Sequence, residues 1–445
     1  SCPMQSSLKI KETAKYLRRL ALSVLCFLVV LGCCSWVTAD EPTVPFWIVT
    51  ERTPDDGMNG VVRDAVEAFS AIYPNVSVRL EILPVGAEAR NQRAQELHEL
   101  MAKGEGPDVF LLSAKKSVST GTRIQRIEPL FSNIPYAMRQ GQFLDISQYY
   151  DSDEKLDKGA LQQTVMDAGR VGEQRFLIPI CFDMNVYYFL SDGENEDLSP
   201  DMTVMDVMDY GLKSGDSLLA WALTDDASAR YRPEVIFSSL IDYDTGNVTL
   251  SFEEVERFFS VYQKLSKMGK KKEGTLDYPT LWKYIKLHVA KQSLRPCYLS
   301  GLALAPAYHA IASIEGEVLN TVPLRAVNGE VTAIISYYGA VGAGTSYPKL
   351  AYEFLCMLLQ PEYQWRVGAT GDLTLGDWPV RVGGSMDAIW PEICSRYTSQ
   401  QTRQVLESLG ASDEWITQIT DQITRADFRA DLNLTNALNQ LAKDE

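Results

Sequence analysis

The sequence predicts an α/β fold built on a parallel sheet, in a chain long enough for two domains. Strand-like and helix-like patterns alternate from residue 44 to residue 112 in the order strand, helix, strand, helix, strand, which is typical of that class. About 410 residues follow the N-terminal leader described below, and a chain of that length usually forms two domains. Hydrophobic residues make up 46% of the sequence and charged residues 22%, as in ordinary globular proteins.

The five elements of that alternation follow from local patterns. Residues 44–50 form an apolar run that predicts a strand, and apolar residues then recur at helical spacing over 62–72. Residues 76–82 alternate between apolar and polar side chains, as in a half-buried strand. A second helix is predicted over 87–103. The short apolar run 108–112 after it favours a central parallel strand.

The later part of the chain is more helical. Its predicted elements are strands over 177–180 and 186–189 on either side of Asp183, a strand over 217–223, helices over 234–242 and 252–268, a strand over 331–336, a helix over 350–359 and a helical tail over 402–443. The glycine-rich stretch 339–344 fits no nucleotide-binding fingerprint, so we interpret it as a close-packed loop or a loop beside a hinge. Asp108 follows a helix stop at Gly106 and Pro107, and we expect it to hydrogen-bond nearby backbone.

Residues 1–39 read as an export leader. Five basic residues precede the apolar run 20–31, and Gly32, Cys33 and Cys34 follow it. The apolar run is shorter than the roughly 20 residues that span a bilayer, so a retained membrane helix is the least favoured alternative. Residues 30–33 resemble a lipoprotein box, which predicts lipidation of Cys33 and a tether on the outer face of the cytoplasmic membrane. Cleavage after Ala39 is the competing alternative and would give a periplasmic or secreted protein.

Charge and spacing argue against several functions. The formal net charge is −16, which argues against nucleic acid as a partner because phosphates need a basic face. The three histidines form no i, i+4 metal pair, and we expect neither a metal nor a cofactor. The cysteines beyond the leader lack metal-ligand spacing; they allow three disulfide pairings or can be small buried hydrophobic residues: Cys181, Cys297, Cys356 and Cys394.

A series of different short motifs extends along nearly the whole chain after the leader. They are the opening strand with Trp47, Phe69 with Tyr73-Pro74-Asn75-Val76, Gly104-Glu105-Gly106-Pro107-Asp108-Val109, Ile178-Pro179-Ile180 with Val186-Tyr187-Tyr188, Ala351-Tyr352-Glu353-Phe354-Leu355 with Gln360-Pro361-Glu362-Tyr363-Gln364, and Trp378-Pro379-Val380-Arg381. In order and spacing these motifs resemble the extracellular solute-binding proteins of ABC importers, especially the maltose- and oligosaccharide-binding group.

The resemblance implies a two-lobed, periplasmic-binding-protein-like (type II) fold with a hinge and a ligand cleft between the lobes. Lobe one would contain 42–183 plus 318–362, and lobe two 184–317 plus 363–445. The chain would cross between the lobes near 183–186, Asn320 and 360–366. The implied function is that of a monomer that captures an oligosaccharide-like solute by hinge closure and delivers it unaltered to the permease subunits of an ABC transporter.

Candidate ligand residues follow from the rule that solutes bind at the carboxyl ends of parallel strands. Glu51 and Arg52 follow the first strand, where maltose-type binders also place an acid beside a base. Ser113 and Lys115 follow the strand that begins near Asp108; the family commonly has an acid there, so Lys115 is a departure. Asp183 stands at the spacing of a sugar-binding acid in the family, and Asp225 with Asp226 ends another predicted strand.

Aromatic side chains are the second signal, because sugar rings pack on them while carboxylates accept from hydroxyls. The candidates are Trp221, Tyr337, Tyr338 and Trp378. Leu302 stands where the family often has a stacking Trp.

Two alternatives stay open beside the carbohydrate-binding function. The same scaffold can hold another solute, including ferric ion through adjacent tyrosines, or serve a sensor kinase. The other is a secreted carbohydrate-active enzyme. For that function Asp225 and Asp226 form a poor catalytic pair, since adjacent residues on a strand point in opposite directions. The sequence therefore favours a binding protein over an enzyme.

Overall fold

The computed structural model describes residues 42–52, 57–114, 117–120, 123–126, 128–191, 199, 201–224, 233–238, 240, 245, 247–269, 295–298, 318–370, 378–382, 390–395, 400–409 and 428–431. The strands are β1 Val44–Thr50, β2 Val76–Ile82, β3 Val109–Ser113, β4 Ser117–Thr120, β5 Arg123–Arg126, β6 Arg170–Val171, β7 Gln174–Arg175, β8 Leu177–Asp183, β9 Asn185–Ser191, β10 Arg295–Tyr298, β11 Val318–Pro323, β12 Val331–Val341, β13 Trp378–Pro379 and β14 Phe428–Asp431. The α-helices are α1 Met58–Ile72, α2 Ala87–Ala102, α3 Ile134–Arg139, α4 Ser147–Ser152, α5 Gln163–Asp167, α6 Val204–Ser214, α7 Ser217–Thr224, α8 Pro233–Ile236, α9 Phe252–Met268, α10 Pro348–Met357, α11 Pro361–Thr370, α12 Trp390–Ser395 and α13 Gln400–Leu409.

The main sheet confirms the α/β class and corrects its strand directions. Its order is β13-β8-β12-β3-β1-β2, and β14 pairs with β12. β1 and β3 are parallel, but β12 runs antiparallel to both β3 and β8, so the sheet is mixed rather than parallel. β12 comes from far along the chain, and the local alternation of strands and helices carries no information about its direction. Because β12 separates them, β8 and β3 run the same way, and the carboxyl ends of β1, β3 and β8 share one edge.

The centre of this sheet is apolar on both faces. Every residue of β3 is buried, as its apolar run predicts for a central strand. α1 covers the sheet with buried side chains at helical spacing. Its Phe69 stacks on Phe46 of β1 with ring centroids 5.6 Å apart and meets Phe354 of α10 edge-on at 5.5 Å.

A second hydrophobic region is built by helices. Buried side chains of α6, α7 and α9 form one cluster that also includes Tyr187 of β9 and Ile334 of β12. α6 begins with a capping box between Thr203 and Asp206. Gly211 allows the three helices to approach, because a Cβ there would lie 2.6 Å from Leu223 and 3.2 Å from Leu265.

Most predicted elements are confirmed, with boundaries shifted by a few residues. The helix predicted over 252–268 is α9 Phe252–Met268, and that predicted over 87–103 is α2. The strands around Asp183 are β8 and β9, and the strand predicted over 331–336 extends to Val341. The helix predicted over 350–359 is α10.

Three predicted elements are wrong in type or length. Residues 217–223 form helix α7 rather than a strand, because Leu and Ala dominate the run and its buried residues Leu219, Ala220 and Leu223 have helical spacing. The helix predicted over 234–242 is only α8 Pro233–Ile236. In the tail, α13 is helical as predicted, but β14 is a strand that pairs in parallel with the first residues of β12.

The chain divides into two units of very different size. The first consists of residues 1–45 with 73–77, and within it the Val44 N–H donates to the Asn75 carbonyl at 2.8 Å. The second consists of 46–72 with 78–445 and contains both hydrophobic regions. The predicted leader, including Cys33, lies outside the described residues. In the described part of the chain, no helix has the length and apolar character needed to cross a membrane.

Candidate functional site

Predicted ligand residues from neighbouring strands meet at one edge of the main sheet. Tyr337 of β12 pairs with Ser113 at the end of β3 and with Cys181 near the end of β8. The N–H of Glu51, just after β1, donates to the Leu111 carbonyl at 2.9 Å. Trp378 of β13 pairs with Phe182, next to Asp183. This edge is therefore formed by β13, β8, β12, β3 and β1 in that order.

Glu51 lies at this edge as a buried carboxylate. Its Oε2 accepts the Ser113 N–H at 2.7 Å, and its Oε1 accepts the Leu130 N–H. The side chain is only 5% exposed, and burial raises the pKa of Glu51 above its ordinary value. The hydrogen bond from Ser113, the charge of Arg90 and the hydrogen bond from Leu130 oppose that rise in pKa.

Arg90 of α2 is the partner that sequence reasoning missed. Its guanidinium donates to three backbone carbonyls, those of Glu128 at 2.7 Å, Pro84 at 3.2 Å and Glu51 at 3.2 Å. Arg90 is buried, which lowers its pKa, and the charge of Glu51 opposes that lowering. One signal was present in the sequence: Arg90 lies seven residues before the buried Leu97, on the apolar side of the helix.

Arg52 contacts Thr50 through its backbone and Tyr337 through its side chain. The hydroxyls of Thr50 and Tyr337 are 2.7 Å apart, and the Arg52 N–H donates to the Thr50 Oγ1 at 3.3 Å. The Arg52 guanidinium lies over the Tyr337 ring, 4.9 Å from its centroid, at a distance typical of a cation–π contact. These contacts connect the end of β1 to β12.

The ends of β3 and β8 meet around Ser336 of β12. The Ser336 carbonyl accepts the Ala114 N–H at 3.0 Å, and its hydroxyl lies 3.2 Å from the Cys181 thiol. The pairing of β12 with β8 is irregular here, with register shifts on both sides of Tyr337. Asp183 is buried and accepts the Met184 N–H at 2.8 Å.

A buried amide holds the Trp378 strand in place. Gln364 donates to the carbonyls of Ile180 at 3.0 Å and Leu358 at 2.8 Å, and its Oε1 accepts the Arg381 N–H at 3.0 Å. The Arg381 guanidinium in turn donates to the Leu359 carbonyl at 2.8 and 2.9 Å. Trp378 is buried, at 6% exposed.

The remaining predicted residues are distributed as follows. Tyr338 is buried beside Glu51, and burial together with the Glu51 charge raises the pKa of Tyr338 well above its ordinary value. Trp221 is half-buried in α7, a part of the helical cluster. Lys115, Asp225 and Asp226 lie outside the described residues. Among the described residues, no group of three or more His, Cys, Asp or Glu side chains is arranged to hold a metal ion.

The structural interpretation of Asp108 is confirmed, whereas that of the glycine-rich stretch 339–344 is confirmed for its close packing but not for a loop throughout, because residues 339–341 are the end of β12. Asp108 accepts the Trp47 N–H at 2.8 Å and the Thr345 hydroxyl at 2.6 Å, and so joins β1 to β3. The glycine-rich stretch is close-packed, since a Cβ at Gly342 would lie 2.0 Å from the Pro107 carbonyl oxygen. Cys181, Cys356 and Cys394 are buried and are not disulfide-bonded, which agrees with their interpretation as small hydrophobic residues.

A surface cavity lies away from this edge. Its volume is about 240 Å³, and it opens near the start of β3, lined by His98, Met101, Pro107, Phe110, Gln142 and Gly344. The predicted ligand residues lie at the opposite end of β3. They do not line this cavity, and Glu51, Arg52, Ser113, Asp183, Tyr337, Tyr338 and Trp378 are all buried.

No protein-family model matches the chain, and no curated protein matches it in sequence. Solved structures with a similar fold include an extracellular solute-binding protein family 1 member from Alicyclobacillus acidocaldarius, with 15% identity, a TM-score of 0.47, and coverage of 85% of this chain and 99% of that one. A periplasmic solute binding protein from Pectobacterium atrosepticum has 15% identity, a TM-score of 0.49, and coverage of 90% and 91%. The sugar-binding protein MalE from Xanthomonas citri has 15% identity, a TM-score of 0.49, and coverage of 90% of each chain.

Proposed function

We propose that this chain is an exported solute-binding protein that captures a carbohydrate and delivers it to the permease of an ABC transporter. The observation that carries the proposal is the shared sheet edge. There five neighbouring strands bring together Arg52, Ser113, Asp183, Tyr337 and Trp378; Tyr337 lies inside β12 and the others lie at or just beyond strand ends.

The chemistry of these side chains suits a sugar. A guanidinium, a hydroxyl and a carboxylate supply donors and acceptors for sugar hydroxyls, and the two aromatic rings supply apolar surface for the ring C–H groups. These contacts can hold a sugar without breaking any of its bonds. Binding without chemistry is therefore the simplest function that these groups support.

Access requires a conformational change, and the strand connections support two lobes. β8 belongs to the main sheet, and after Met184 the chain continues into β9 of a separate three-stranded sheet. β12 begins beside the helical cluster, where Ile334 packs, and ends in the main sheet. We propose that these are two of the crossings between a lobe of 42–183 plus 318–362 and a lobe of 184–317 plus 363–445. Because β11 pairs with β9, strand pairing favours 334–337 over Asn320 for the second crossing, which would move residues 318–334 from the first of these lobes to the second.

Closure of such lobes around a solute favours the closed state, because both lobes then contact the solute. We propose that the closed monomer docks on the permease subunits and that lipidated Cys33 keeps it near them on the outer face of the cytoplasmic membrane. The leader sequence supports export and the lipoprotein box supports the tether.

The test is a binding screen of the mature chain. Thermal shift and calorimetry are run against oligosaccharides, amino acids, polyamines and ferric ion. We expect at least one oligosaccharide to raise the melting temperature and to contract the chain in small-angle scattering. Arg52→Met and Asp183→Asn should weaken its binding. Asp108→Asn, at the opposite end of β3, should leave binding unchanged.

The other outcomes separate the alternatives. Stabilisation only by an amino acid, a polyamine or ferric ion would replace the carbohydrate with that solute. Turnover of a glycan at enzyme-like rates would favour the secreted enzyme. Stabilisation by none of these solutes would refute the proposed function.

A further inference from the structure

Two carboxylates join β1 to β3 at opposite ends. Near the start of β3, Asp108 accepts the Trp47 N–H of β1 at 2.8 Å. At the end of β3, Glu51 accepts the Ser113 N–H at 2.7 Å. Each carboxylate uses its second oxygen to hold a more distant segment, through Thr345 for Asp108 and Leu130 for Glu51. The two ends differ in what they border, because only the Glu51 end carries predicted ligand residues.

Arg90 fastens the Glu51 end a second time. One of its nitrogens donates to the Glu51 carbonyl at 3.2 Å, and the others hold the carbonyls of Pro84 and Glu128. A guanidinium is suited to this task because its donors are fixed in one plane. The residue that follows Glu51 is Arg52, so the backbone that Arg90 holds is the backbone that presents Arg52.

Glu51 is therefore placed to support a site rather than to touch a solute. Both of its carboxylate oxygens already accept backbone N–H groups, from Ser113 and from Leu130, so neither is left to accept from a solute hydroxyl. We propose that Glu51 and Arg90 are positioning residues, a buried acid–base pair that fixes the ends of β1 and β3 so that Arg52 and Ser113 face the solute. This inference rests on the proposed function.

Positioning by Glu51 makes solute binding depend on pH. Among the described residues, the titratable groups facing Glu51 are Arg90 on α2 and Tyr338 on β12, beside Arg52 next to it in the chain. Protonation of Glu51 places an O–H where a backbone N–H now donates, so Glu51 loses its contact with either Ser113 or Leu130 and is held less firmly. Solute affinity should fall as the pH decreases through the pKa of Glu51, which burial raises, and Glu51→Gln should remove that dependence.

The first test needs no solute and uses amide hydrogen exchange of the full mature chain. Glu51→Gln keeps one acceptor oxygen, so it should raise the exchange rate at either Ser113 or Leu130 by about tenfold, the effect expected for a lost buried hydrogen bond. Arg90→Lys should raise exchange at the same two amides through the loosened Glu51 backbone. The matched control, Asp108→Asn, should raise exchange at Trp47 and leave Ser113 unchanged. Unchanged exchange at both Ser113 and Leu130 in Glu51→Gln would overturn the proposal.

The second test measures maltotriose affinity by calorimetry at pH 5 and pH 7.5. Glu51→Gln and Arg90→Lys should weaken binding by about tenfold at pH 7.5, whereas Asp108→Asn should bind as the wild type does and keep its pH dependence. An equal loss in Asp108→Asn, or wild-type affinity and pH dependence in Glu51→Gln, would overturn the positioning role. If Glu51→Gln does not fold, Arg90→Lys decides by the same two measurements, since it keeps the charge and loses the planar fork.

The two proposals fail in different ways. A wild type that binds neither maltotriose nor any solute of the screen refutes the proposed function, and the exchange rates then decide the positioning role alone. A wild type that binds, with variants that bind equally well at both pH values, refutes only the positioning role.

Discussion

Replacing Gly342 by Ala is the sharpest test of how β12 packs beside the start of β3. A Cβ at this position would lie 2.0 Å from the carbonyl oxygen of Pro107, which is backbone and has no rotamer to change. Carbon–oxygen contacts normally begin at about 3.3 Å, so the two segments must separate by roughly 1.3 Å. The Gly342 N–H also donates to the Asp108 carbonyl at 2.9 Å, and the separation strains that hydrogen bond.

The expected cost follows from these two effects. Overpacking of a close-packed site costs about 1–3 kcal/mol, and a weakened backbone hydrogen bond adds about 1 kcal/mol. We therefore expect Gly342→Ala to lower the free energy of unfolding by about 2–4 kcal/mol. Urea denaturation followed by tryptophan fluorescence measures this change, provided that the slope with urea is unchanged.

Gly60→Ala is the matched control. Gly60 lies in α1, and a Cβ there would meet no atom within 4 Å. Alanine should therefore stabilise the chain by about 0.5–1 kcal/mol through its higher helix propensity. Gly342→Ala within about 0.5 kcal/mol of the wild type, or a loss of stability in Gly60→Ala, would refute the reasoning.

Three further predictions concern the Cys356 thiol, the hydrogen bond between Tyr352 and Asp153, and the buried Gln364 amide. Burial raises the pKa of the Cys356 thiol to about 12, so iodoacetamide at pH 8 should alkylate it slowly in the native chain and rapidly in urea. Mass spectrometry of the Cys356 peptide measures the two rates, and rapid alkylation of the native chain would contradict the burial of the thiol. Burial acts to raise the pKa of Asp153, but hydrogen bonds from the Tyr352 hydroxyl and from backbone outweigh it and lower that pKa. The stability that Asp153 contributes is thus present above its ordinary pKa and is lost as the pH falls through its lowered pKa. Tyr352→Phe should therefore lower the free energy of unfolding in urea by more at pH 7 than at pH 3. An equal loss at both pH values would count against the Tyr352–Asp153 hydrogen bond. Gln364→Leu removes three hydrogen bonds to buried backbone and should cost about 2–4 kcal/mol of unfolding free energy in urea; a cost under about 1 kcal/mol would mean that the amide does not hold the Arg381 segment.

Elements with a strong local pattern were predictable from the sequence, and those defined by distant partners were not. α9 agrees to the residue because Ser251 caps its first turn and Phe258, Val261 and Leu265 recur on its buried face. The run at 217–223 is apolar on all sides, so its period does not distinguish a buried helix from a strand. β14 is a strand because it pairs with β12, almost one hundred residues earlier, and no local pattern records that pairing.

The candidate site shows the same division. The rule that solutes bind at strand ends brought Arg52, Ser113 and Asp183 to one edge, because it depends only on where each strand stops. The rule did not reveal the role of each side chain there. Arg90 was missed because it lies on a helix, and its three acceptors are backbone carbonyls that no side-chain pattern marks.

Two parts of this sheet edge differ in what they contact. β1 and β3 end within the main sheet, whereas β12 also contacts the helical cluster. Glu51 and Arg90 hold the ends of β1 and β3 within the main sheet. Tyr337 meets Arg52 and Thr50 from β12, whose first residues pair with β14 and pack on the helical cluster. If the proposed lobes close, we expect the displacement to reach Tyr337 along β12, whose pairing with β8 is irregular on both sides of that residue. The contact that should change first is that between the Arg52 guanidinium and the Tyr337 ring. The Arg52 backbone follows β1 in the main sheet, whereas Tyr337 belongs to β12, which also contacts the helical cluster.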